Sequence, residues 1–226
     1  MNILLFGPNG SGKGTHGAIL QKKFGVPRIE TGAIFRENIV SNTEIGRRTK
    51  EYVNRGELVP DDITIPMIMN RIKKTNLKRG WLLDGFPRNI TQADALYRAL
   101  DKKGVSLDFV IQIILDGDIA KRRIMGRRLC AFADDHANNI YIDAVRPTEK
   151  GGTIACRVCG CERLAIRTDD QNEAAIDKRL SSYFDTKTGT LAAVNYFKTR
   201  LNVFEVCSLS RVEETSDNLM NMLMRS

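Results

Sequence analysis

Residues 1–25 read MNILLFGPNGSGKGTHGAILQKKFG, an apolar run, a glycine-rich segment and a second partly apolar run. Met1–Phe6 is apolar and predicts a short buried strand, while His16–Gly25 predicts a helix that Gly25 ends. Between them lies GPNGSGKG, which fits the pattern G-x-x-x-x-G-K. Glycines let the backbone curl so that several N–H groups face one phosphate, and the following helix adds its N-terminal dipole. The stretch therefore predicts a phosphate-binding loop whose Lys13 reaches the β- and γ-phosphates as a point charge.

The rest of the chain alternates apolar strands with helices, except in two segments. Further strands are predicted at Trp81–Leu83, Phe109–Leu115 and Asn202–Cys207. Helices are predicted at Asp61–Lys74, Ile90–Lys102, Asp118–Arg128, Glu173–Tyr183, Leu191–Thr199 and Val212–Met224. Because strands and helices alternate, we expect an α/β fold with a parallel sheet covered by helices on both faces.

The two exceptional segments are read as insertions into this core. Residues 31–60 predict two helices and no obvious strand. Residues 129–164 are rich in Asn, Asp, Gly and Cys, with little apolar core and only short strand-like runs such as Asn139–Ile142. The core domain is then expected to comprise residues 1–30, 61–128 and 165–226.

Composition and charge exclude several protein classes. The 226 residues are 42% hydrophobic and 27% charged, with a formal net charge of +8. No apolar run approaches the roughly 20 residues of a membrane helix, and the N-terminus lacks a secretory signal, so a cytoplasmic location is predicted. Several arginines stand singly beside glycines and prolines, which favours a pocket for polyanionic small molecules over a nucleic-acid-binding stripe.

Four of the five cysteines fall in the second insertion, and this clustering indicates a metal site. The predicted ligands are Cys130, His136, Cys156 and Cys159, in the spacing Cys-x5-His-x19-Cys-x2-Cys. Competing ligands are Cys161 and, more weakly, Asp134 and Asp135. Four protein ligands leave no open coordination position, so we expect a structural ion, Zn²⁺ by default, with Co²⁺ or Fe²⁺ also compatible. The alternative to a metal site is a set of free cysteines and a surface histidine.

Four further motifs carry a resemblance to a known family. Gly14-Thr15 follows Lys13, TGAIFR spans residues 31–36, GELVP spans 56–60 and WLLDGFPR spans 81–88. Together they resemble the nucleoside monophosphate kinases, the adenylate kinase family in particular, over nearly the whole chain. The resemblance implies a P-loop NTPase fold with two mobile lobes: an NMP-binding lobe at 31–60 and a lid at 129–164. It also implies the reaction ATP + AMP = 2 ADP with Mg²⁺.

The resemblance assigns roles to individual residues. The donor nucleotide is expected at Gly7, Asn9, Gly10, Ser11, Gly12, Lys13, Gly14, Thr15, Arg123 and Arg127. The acceptor is expected at Thr31, Gly32, Arg36, Val59, Gly85, Arg88, Gln92, Arg167 and Arg179. The catalytic set is Lys13, Asp84, Arg88, Arg123, Arg127, Arg167 and Arg179, with Asp84 holding Mg²⁺ through water. The chain departs from the family pattern at His16, Ala33 and Ala133.

Three alternative functions compete with this interpretation. The first is a kinase for UMP, CMP or GMP, against which Thr31 and Gln92 favour AMP. The second is a basic zinc-ribbon protein that binds nucleic acid, which leaves WLLDGFPR unexplained. The third is a regulatory P-loop switch, for which no guanine-reading motif is found. The expected partners are therefore ATP, AMP and ADP, with no nucleic acid or membrane, and the resemblance implies a monomer.

Overall fold

The computed structural model describes residues 1–75, 79–133, 135–209 and 211–225. Its strands are β1 (Asn2–Phe6), β2 (Arg28–Glu30), β3 (Trp81–Asp84), β4 (Phe109–Ile114), β5 (Leu129–Cys130), β6 (Thr148–Lys150), β7 (Thr153–Ala155), β8 (Leu164–Ala165) and β9 (Val203–Cys207). Its α-helices are α1 (Lys13–Phe24), α2 (Thr31–Val40), α3 (Glu44–Arg55), α4 (Asp61–Lys74), α5 (Ile90–Asp101), α6 (Gly117–Gly126), α7 (Glu173–Phe184), α8 (Thr190–Lys198) and α9 (Val212–Arg225). Short 3-10 turns occur at Asp143–Val145 and Thr168–Asp170.

The centre of the molecule is a five-stranded parallel sheet in the order β2-β3-β1-β4-β9. Successive side chains of a strand point to opposite faces, so the apolar residues Ile3–Phe6 of β1 contribute to two separate cores. Ile3 and Leu5 pack on one face with residues of α1 and α9, while Leu4 and Phe6 pack on the other with residues of α4, α5 and α8. The predicted α/β fold, with a parallel sheet flanked by helices, is confirmed.

The phosphate loop connects β1 to α1 at the carboxyl edge of the sheet, where open α/β sheets bind ligands. Gly10 and Gly12 both have φ of 87°, in the left-handed region that favours glycine. A Cβ on Gly10 would also lie 2.6 Å from the carbonyl oxygen of Ala120. The loop therefore requires glycine both for its conformation and for its close approach to α6. As predicted, the helix that follows ends at Gly25, whose N–H donates to the carbonyl of Gln21.

Residues 31–60 fold as the paired helices α2 and α3, in line with the predicted helical segment. The side chain of Thr43 starts α3 by accepting a hydrogen bond of 3.0 Å from the N–H of Gly46. Just before this segment lies β2, a three-residue strand that the sequence analysis did not predict.

Residues 129–164 contain small antiparallel sheets, β5 with β8 and β6 with β7. The strand-like run Asn139–Ile142 was predicted wrongly, because it forms turns with a single isolated bridge from Asn139 to Arg127. In this segment Asn139 instead uses its side chain, which donates to the Arg123 carbonyl at 2.7 Å and ties the segment to α6. Within the described ranges, we find no helix with the length and apolar character needed to cross a membrane.

Candidate functional site

The side chain of Lys13 folds back over the phosphate loop. Its Nζ donates to the carbonyl oxygens of Gly7 at 2.6 Å and Pro8 at 2.9 Å. Burial lowers the pKa of Lys13 to about 8, while the carboxylate of Asp84 opposes this shift. An arriving phosphate would offer the ammonium group a charged acceptor in place of two carbonyl oxygens.

Two carboxylates end neighbouring strands beside this lysine. Glu30 and Asp84 are register partners at the carboxyl ends of β2 and β3. Burial raises the pKa of Asp84, and the Lys13 ammonium opposes that effect. Burial also acts to raise the pKa of Glu30, but neighbouring guanidinium groups, chiefly Arg36, hold it below its usual value. Two carboxylates of the protein, Glu30 and Asp84, therefore lie among the lysine and arginine side chains of this site.

Arg127, just before the lid, and Arg179, in α7, are paired with consecutive aspartates. Arg127 donates to Asp170 Oδ2 from Nε at 2.9 Å and from Nη2 at 2.5 Å. Arg179 Nη1 lies 2.7 Å from Asp169 Oδ2, and its Nη2 lies 3.2 Å from Asp170 Oδ1. Asp170 thus accepts hydrogen bonds from Arg127 and also lies next to Arg179. These ion pairs fix both guanidinium groups against the same cavity.

Arg88 differs from these pairs. Its Nε donates to the carbonyl oxygen of Gly85 at 3.0 Å, and no carboxylate within the described ranges forms a salt bridge with it. Burial lowers the pKa of Arg88, with Asp84 opposing the shift. A half-buried guanidinium without a carboxylate partner is a strong candidate for binding an anionic ligand.

The expected base-binding residues lie next to Arg88. Gln92 is buried, and its amide is fixed at both ends: Nε2 donates to Asp61 Oδ1 at 2.7 Å and Oε1 accepts from the Arg88 N–H at 2.8 Å. Val59 is buried, and the buried hydroxyl of Thr31 has no hydrogen-bond partner in the described part of the chain. This corner is apolar with a few polar groups still open to a ligand, as base pockets are.

A third group surrounds His16 in α1. Its Nδ1 lies 3.0 Å from Ser216 Oγ in α9. Burial and the nearby Arg123 lower the pKa of His16 to about 4, so the ring is neutral at physiological pH. Arg123 in turn donates to Ser208 Oγ at 2.6 Å and to the Leu209 carbonyl at 3.1 Å.

Most of these groups face one cavity of ≈ 280 Å³. Nearly every predicted nucleotide residue lines it: Asn9, Gly10, Gly12, Lys13, Gly14, Thr15, Thr31, Gly32, Arg36, Val59, Asp84, Gly85, Arg88, Gln92, Arg123, Arg127, Arg167 and Arg179. Gly7 and Ser11 do not, because Ser11 is fully buried beneath the loop and Gly7 packs against Ile113. The structure thus brings together residues that are far apart in the sequence.

The predicted metal ligands lie in the lid, close to this cavity. The Sγ atoms of Cys130, Cys156, Cys159 and Cys161 all lie within 4.8 Å of one another. Cys130 Sγ is 3.6 Å from Cys159 Sγ and 3.5 Å from Cys161 Sγ. A tetrahedral ion with bonds of about 2.3 Å holds sulfur ligands about 3.8 Å apart, so this group of four thiols could hold a metal ion.

His136 stands beside the four thiols, outside their compact group. Its Nδ1 lies 3.4 Å from Cys130 Sγ and 3.8 Å from Cys156 Sγ. Cys161, expected only as a competitor, is therefore placed at least as well as the predicted His136. Of the weaker competitors, Asp135 is used in an ion pair with Lys22 and Asp134 lies outside the described residues.

Comparisons with known proteins agree with this geometry. The sequence model of the adenylate kinase family matches residues 5–202. The chain belongs to the adenylate kinase family. An adenylate kinase of Desulfosudis oleivorans is 61% identical over 198 residues, which cover 88% of this chain and 86% of the relative. One from Desulfotalea psychrophila is 59% identical over 197 residues, covering 87% of each chain. One from Maridesulfovibrio salexigens is 51% identical over 229 residues, covering 99% of this chain and 100% of the relative.

Membership of the adenylate kinase family makes the chain a phosphotransferase that binds ATP, AMP and ADP and uses Mg²⁺ with ATP. The parallel sheet, the phosphate loop and the flanking helices are those of the P-loop NTPase fold of this family.

Several lining residues of the adenylate kinase cavity were missed from the sequence. They are His16, Arg28, Glu30, Asn138, Asn139, Ser208, Leu209 and Val212. Glu30 directly precedes the TGAIFR motif, so its position next to an expected phosphate site was a usable signal. Asn138 and Asn139 carried no comparable signal, because their burial depends on how the lid folds.

Proposed function

We propose that this member of the adenylate kinase family transfers the terminal phosphoryl group of ATP to AMP, reversibly and with Mg²⁺, to give two ADP. An oxygen of the AMP phosphate bonds to the γ-phosphorus as the bond from that phosphorus to the β–γ bridging oxygen breaks. The electron pair of the broken bond stays on the departing ADP. The observation that carries the proposal is the shared cavity, which is lined by both the phosphate loop and the arginines.

On the donor side, the loop backbone and Lys13 are proposed to hold the ATP phosphates. The residues concerned are Gly7, Asn9, Gly10, Ser11, Gly12, Lys13, Gly14 and Thr15. Arg123 and Arg127 complete the donor site from α6 and its C-terminal end. Phosphoryl transfer asks for positioning and charge neutralisation more than for covalent chemistry, which fits this set of cations.

Mg²⁺, when bound with ATP, supplies charge neutralisation on the transferring group. Asp84 suits it, because a buried carboxylate at the end of β3 offers the hard oxygen donors that this ion prefers. We propose that Asp84 holds the ion through water rather than directly.

On the acceptor side, Arg36 and Arg88 are proposed to bind the AMP phosphate, with Arg167 and Arg179 contacting the phosphoryl group in transit. Thr31, Val59 and Gln92 are proposed to bind the adenine, and Gly32 and Gly85 let the backbone approach closely. The supporting observation is Arg88, a half-buried cation without a carboxylate partner in the described ranges, next to the fixed amide of Gln92.

Residues 31–60 and 129–164 are proposed to be mobile lobes on a core of residues 1–30, 61–128 and 165–226. Closure would exclude water, which otherwise hydrolyses ATP. A bisubstrate analogue should slow amide hydrogen exchange in both segments, with the sheet strands as internal control. Unchanged exchange in both segments would contradict the two-lobe proposal.

In the lid, we propose one structural Zn²⁺, with Co²⁺ or Fe²⁺ compatible with the same ligands. Cys130, Cys156 and Cys159 supply three ligands, and the fourth position goes to His136 or Cys161, each of which lies within 3.5 Å of Cys130 Sγ. The ion would hold the lid together without entering the chemistry.

We further infer a cytoplasmic monomer. All five cysteines are free thiols, which suits a reducing compartment. Sedimentation of the purified protein and fractionation of the source cells test the two parts separately, and a stable dimer or a secreted enzyme would each contradict one of them.

The decisive experiment is a coupled assay of ADP formation with ATP·Mg²⁺ and each of AMP, UMP, CMP and GMP. AMP should give the highest kcat/KM, and omission of the acceptor should give almost no ADP. A higher kcat/KM with UMP, CMP or GMP would replace the proposed acceptor.

A further inference from the structure

Glu30 is a carboxylate placed inside a cluster of cations. It ends β2 next to Asp84, and its side chain is only 16% exposed. Burying a carboxylate is unfavourable unless charged partners surround it. The charged partners of the Glu30 carboxylate therefore indicate its role.

Three arginines from three segments of the chain surround the Glu30 carboxylate. Oε2 accepts from Arg28 Nη2 at 2.8 Å, within β2 itself. Oε1 accepts from Arg36 Nη2 at 2.7 Å, in α2. The same Oε1 lies 3.9 Å from Arg167 Nη2, in the stretch that follows β8. One side chain thus joins the core, the 31–60 segment and the return from the lid.

Each of Arg36 and Arg167 reaches Glu30 through a single terminal nitrogen. A guanidinium carries five N–H donors, so most of them stay free for a ligand. Arg167 Nε is buried and has no hydrogen-bond partner in the described part of the chain. Arg88, at the same cavity, uses only its Nε on the Gly85 carbonyl. The arginines are therefore held from one side and still have donors to offer.

We propose that Glu30 is a positioning residue for the acceptor phosphate: it holds Arg36 and Arg167 at fixed positions and offsets their mutual repulsion while their free N–H groups bind AMP. The inference rests on the proposed function, since it takes AMP as the acceptor. Glu30 does not touch the reacting atoms. A like-charged cluster without this internal counter-ion would spread apart, and the phosphate would have to reorder it on binding.

The test compares Glu30→Gln with the wild-type enzyme under steady-state conditions. The amide keeps the shape but removes the charge, so KM for AMP should rise about tenfold, the value of one lost charge-assisted hydrogen bond. KM for ATP should stay within about twofold, because the donor cations do not contact Glu30. Glu51→Gln is the matched control, because it removes the exposed carboxylate that pairs with Arg55 at 3.6 Å in the same segment.

A double-mutant cycle with Arg36→Ala separates positioning from a general structural role. If Glu30 acts through Arg36, then Glu30→Gln should raise KM for AMP much less in the Arg36→Ala background. Equal effects in both backgrounds, or an unchanged KM for AMP in Glu30→Gln, would overturn the inference. Should Glu30→Gln fail to fold, Glu30→Asp decides: a KM for AMP raised by about threefold or more supports positioning, and an unchanged KM refutes it. A wild-type enzyme without AMP-dependent turnover would instead refute the proposed function itself.

Discussion

The phosphate-binding core and the lid face the same cavity, yet they are stabilised by different interactions. The core buries apolar side chains on both faces of its sheet, among them Trp81, Leu96 and Phe197. In the lid, the buried residues with apolar side chains in the described part of 129–164 are Pro147, Ala155 and Cys156. The lid relies instead on buried amides and on the thiol group.

Because the two regions are stabilised differently, we expect that catalysis and lid stability can be changed separately. Arg123 and Arg127 lie in α6 and at its C-terminal end, and Arg179 lies in α7. Arg88 and Arg167 lie outside the helices and are held by the Gly85 carbonyl and by Glu30. Within the described residues, none of the guanidinium groups proposed to contact phosphate bonds to the thiols. A substitution in the core site should lower turnover and leave the lid folded. A substitution of the thiols should destabilise the lid and leave turnover largely unchanged.

The largest effect is expected from Lys13→Met in the core. Removal of one charge aimed at the transferring group typically lowers the rate about 10²–10³-fold. Because Lys13 otherwise contacts only loop carbonyls, the melting temperature should change little. Turnover and melting temperature measured together give the test, with the exposed Lys23→Met as matched control. A folded Lys13→Met enzyme with near-normal turnover would contradict the phosphate-loop assignment.

Removal of the metal should affect the lid most. A Cys156→Ser variant, or chelation with Mg²⁺ in excess, should speed hydrogen exchange across 129–164. It should also lower the melting temperature by about 5–10 °C, as expected when a few kcal/mol are lost in a protein of this size. Turnover at moderate temperature should largely survive. Immediate loss of turnover with the fold retained would mean that the ion takes part in the chemistry.

The same experiment identifies the fourth ligand. Metal content per chain should fall sharply in whichever of His136→Ala and Cys161→Ser removes a true ligand, and stay near one in the other. Full occupancy in both variants would show that neither residue is required.

A smaller effect is expected from His16, which lies in the core. Burial and Arg123 lower its pKa from 6.5 to about 4. Between these two pH values His16 is therefore mostly protonated in the unfolded chain and mostly neutral in the folded chain. The free energy of unfolding should therefore fall by about 3 kcal/mol as the pH drops from 6.5 to 4, with its full contribution kept above pH 6.5. Denaturant titrations across this range should show a shallower slope in His16→Gln. An identical slope in both proteins would contradict the buried neutral histidine.

The smallest effect concerns a direct contact between the two regions, the ion pair of Lys22 in α1 with Asp135 in the lid. Lys22 is 69% exposed, and exposed pairs contribute about 0.2–1 kcal/mol. Lys22→Ala should therefore raise KM for ATP less than about fivefold, and high salt should abolish the difference from wild type. A change of about 100-fold or more in the KM for ATP would instead show that the pair controls closure of the lid.

The sequence predicted best where local patterns decide the structure. The phosphate loop, the helix that ends at Gly25 and the apolar strand Phe109–Ile114 all follow from short-range signals. The strand β2 was missed because RIE has one apolar residue in three, and its conformation depends on pairing with β3.

The lid was the least predictable region for the same physical reason. Asn139–Ile142 has the residues of a strand, but Asn139 is recruited by the carbonyl of Arg123 in α6. The choice between His136 and Cys161 likewise depends on a fold that few apolar contacts define. Glu30 was overlooked although it directly precedes the TGAIFR motif, and only its proximity to Arg167, which is remote in the sequence, depends on the fold.

The hydrogen bonds of Gln92 have a consequence for purine selection. Rotating its amide by 180° would place oxygen against the Asp61 carboxylate and NH₂ against the Arg88 N–H, at a cost of about 2–4 kcal/mol for two broken bonds. The second N–H of Nε2 and the second lone pair of Oε1 therefore stay in fixed positions, so the donor and the acceptor face a ligand in one fixed order. Adenine matches it with an acceptor ring nitrogen beside a donor amino group, whereas a 6-oxo purine carries the reversed order. In the proposed acceptor site, the Asp61 carboxylate on α4 would thus favour AMP over its deaminated counterpart by fixing the Gln92 amide before any nucleotide binds.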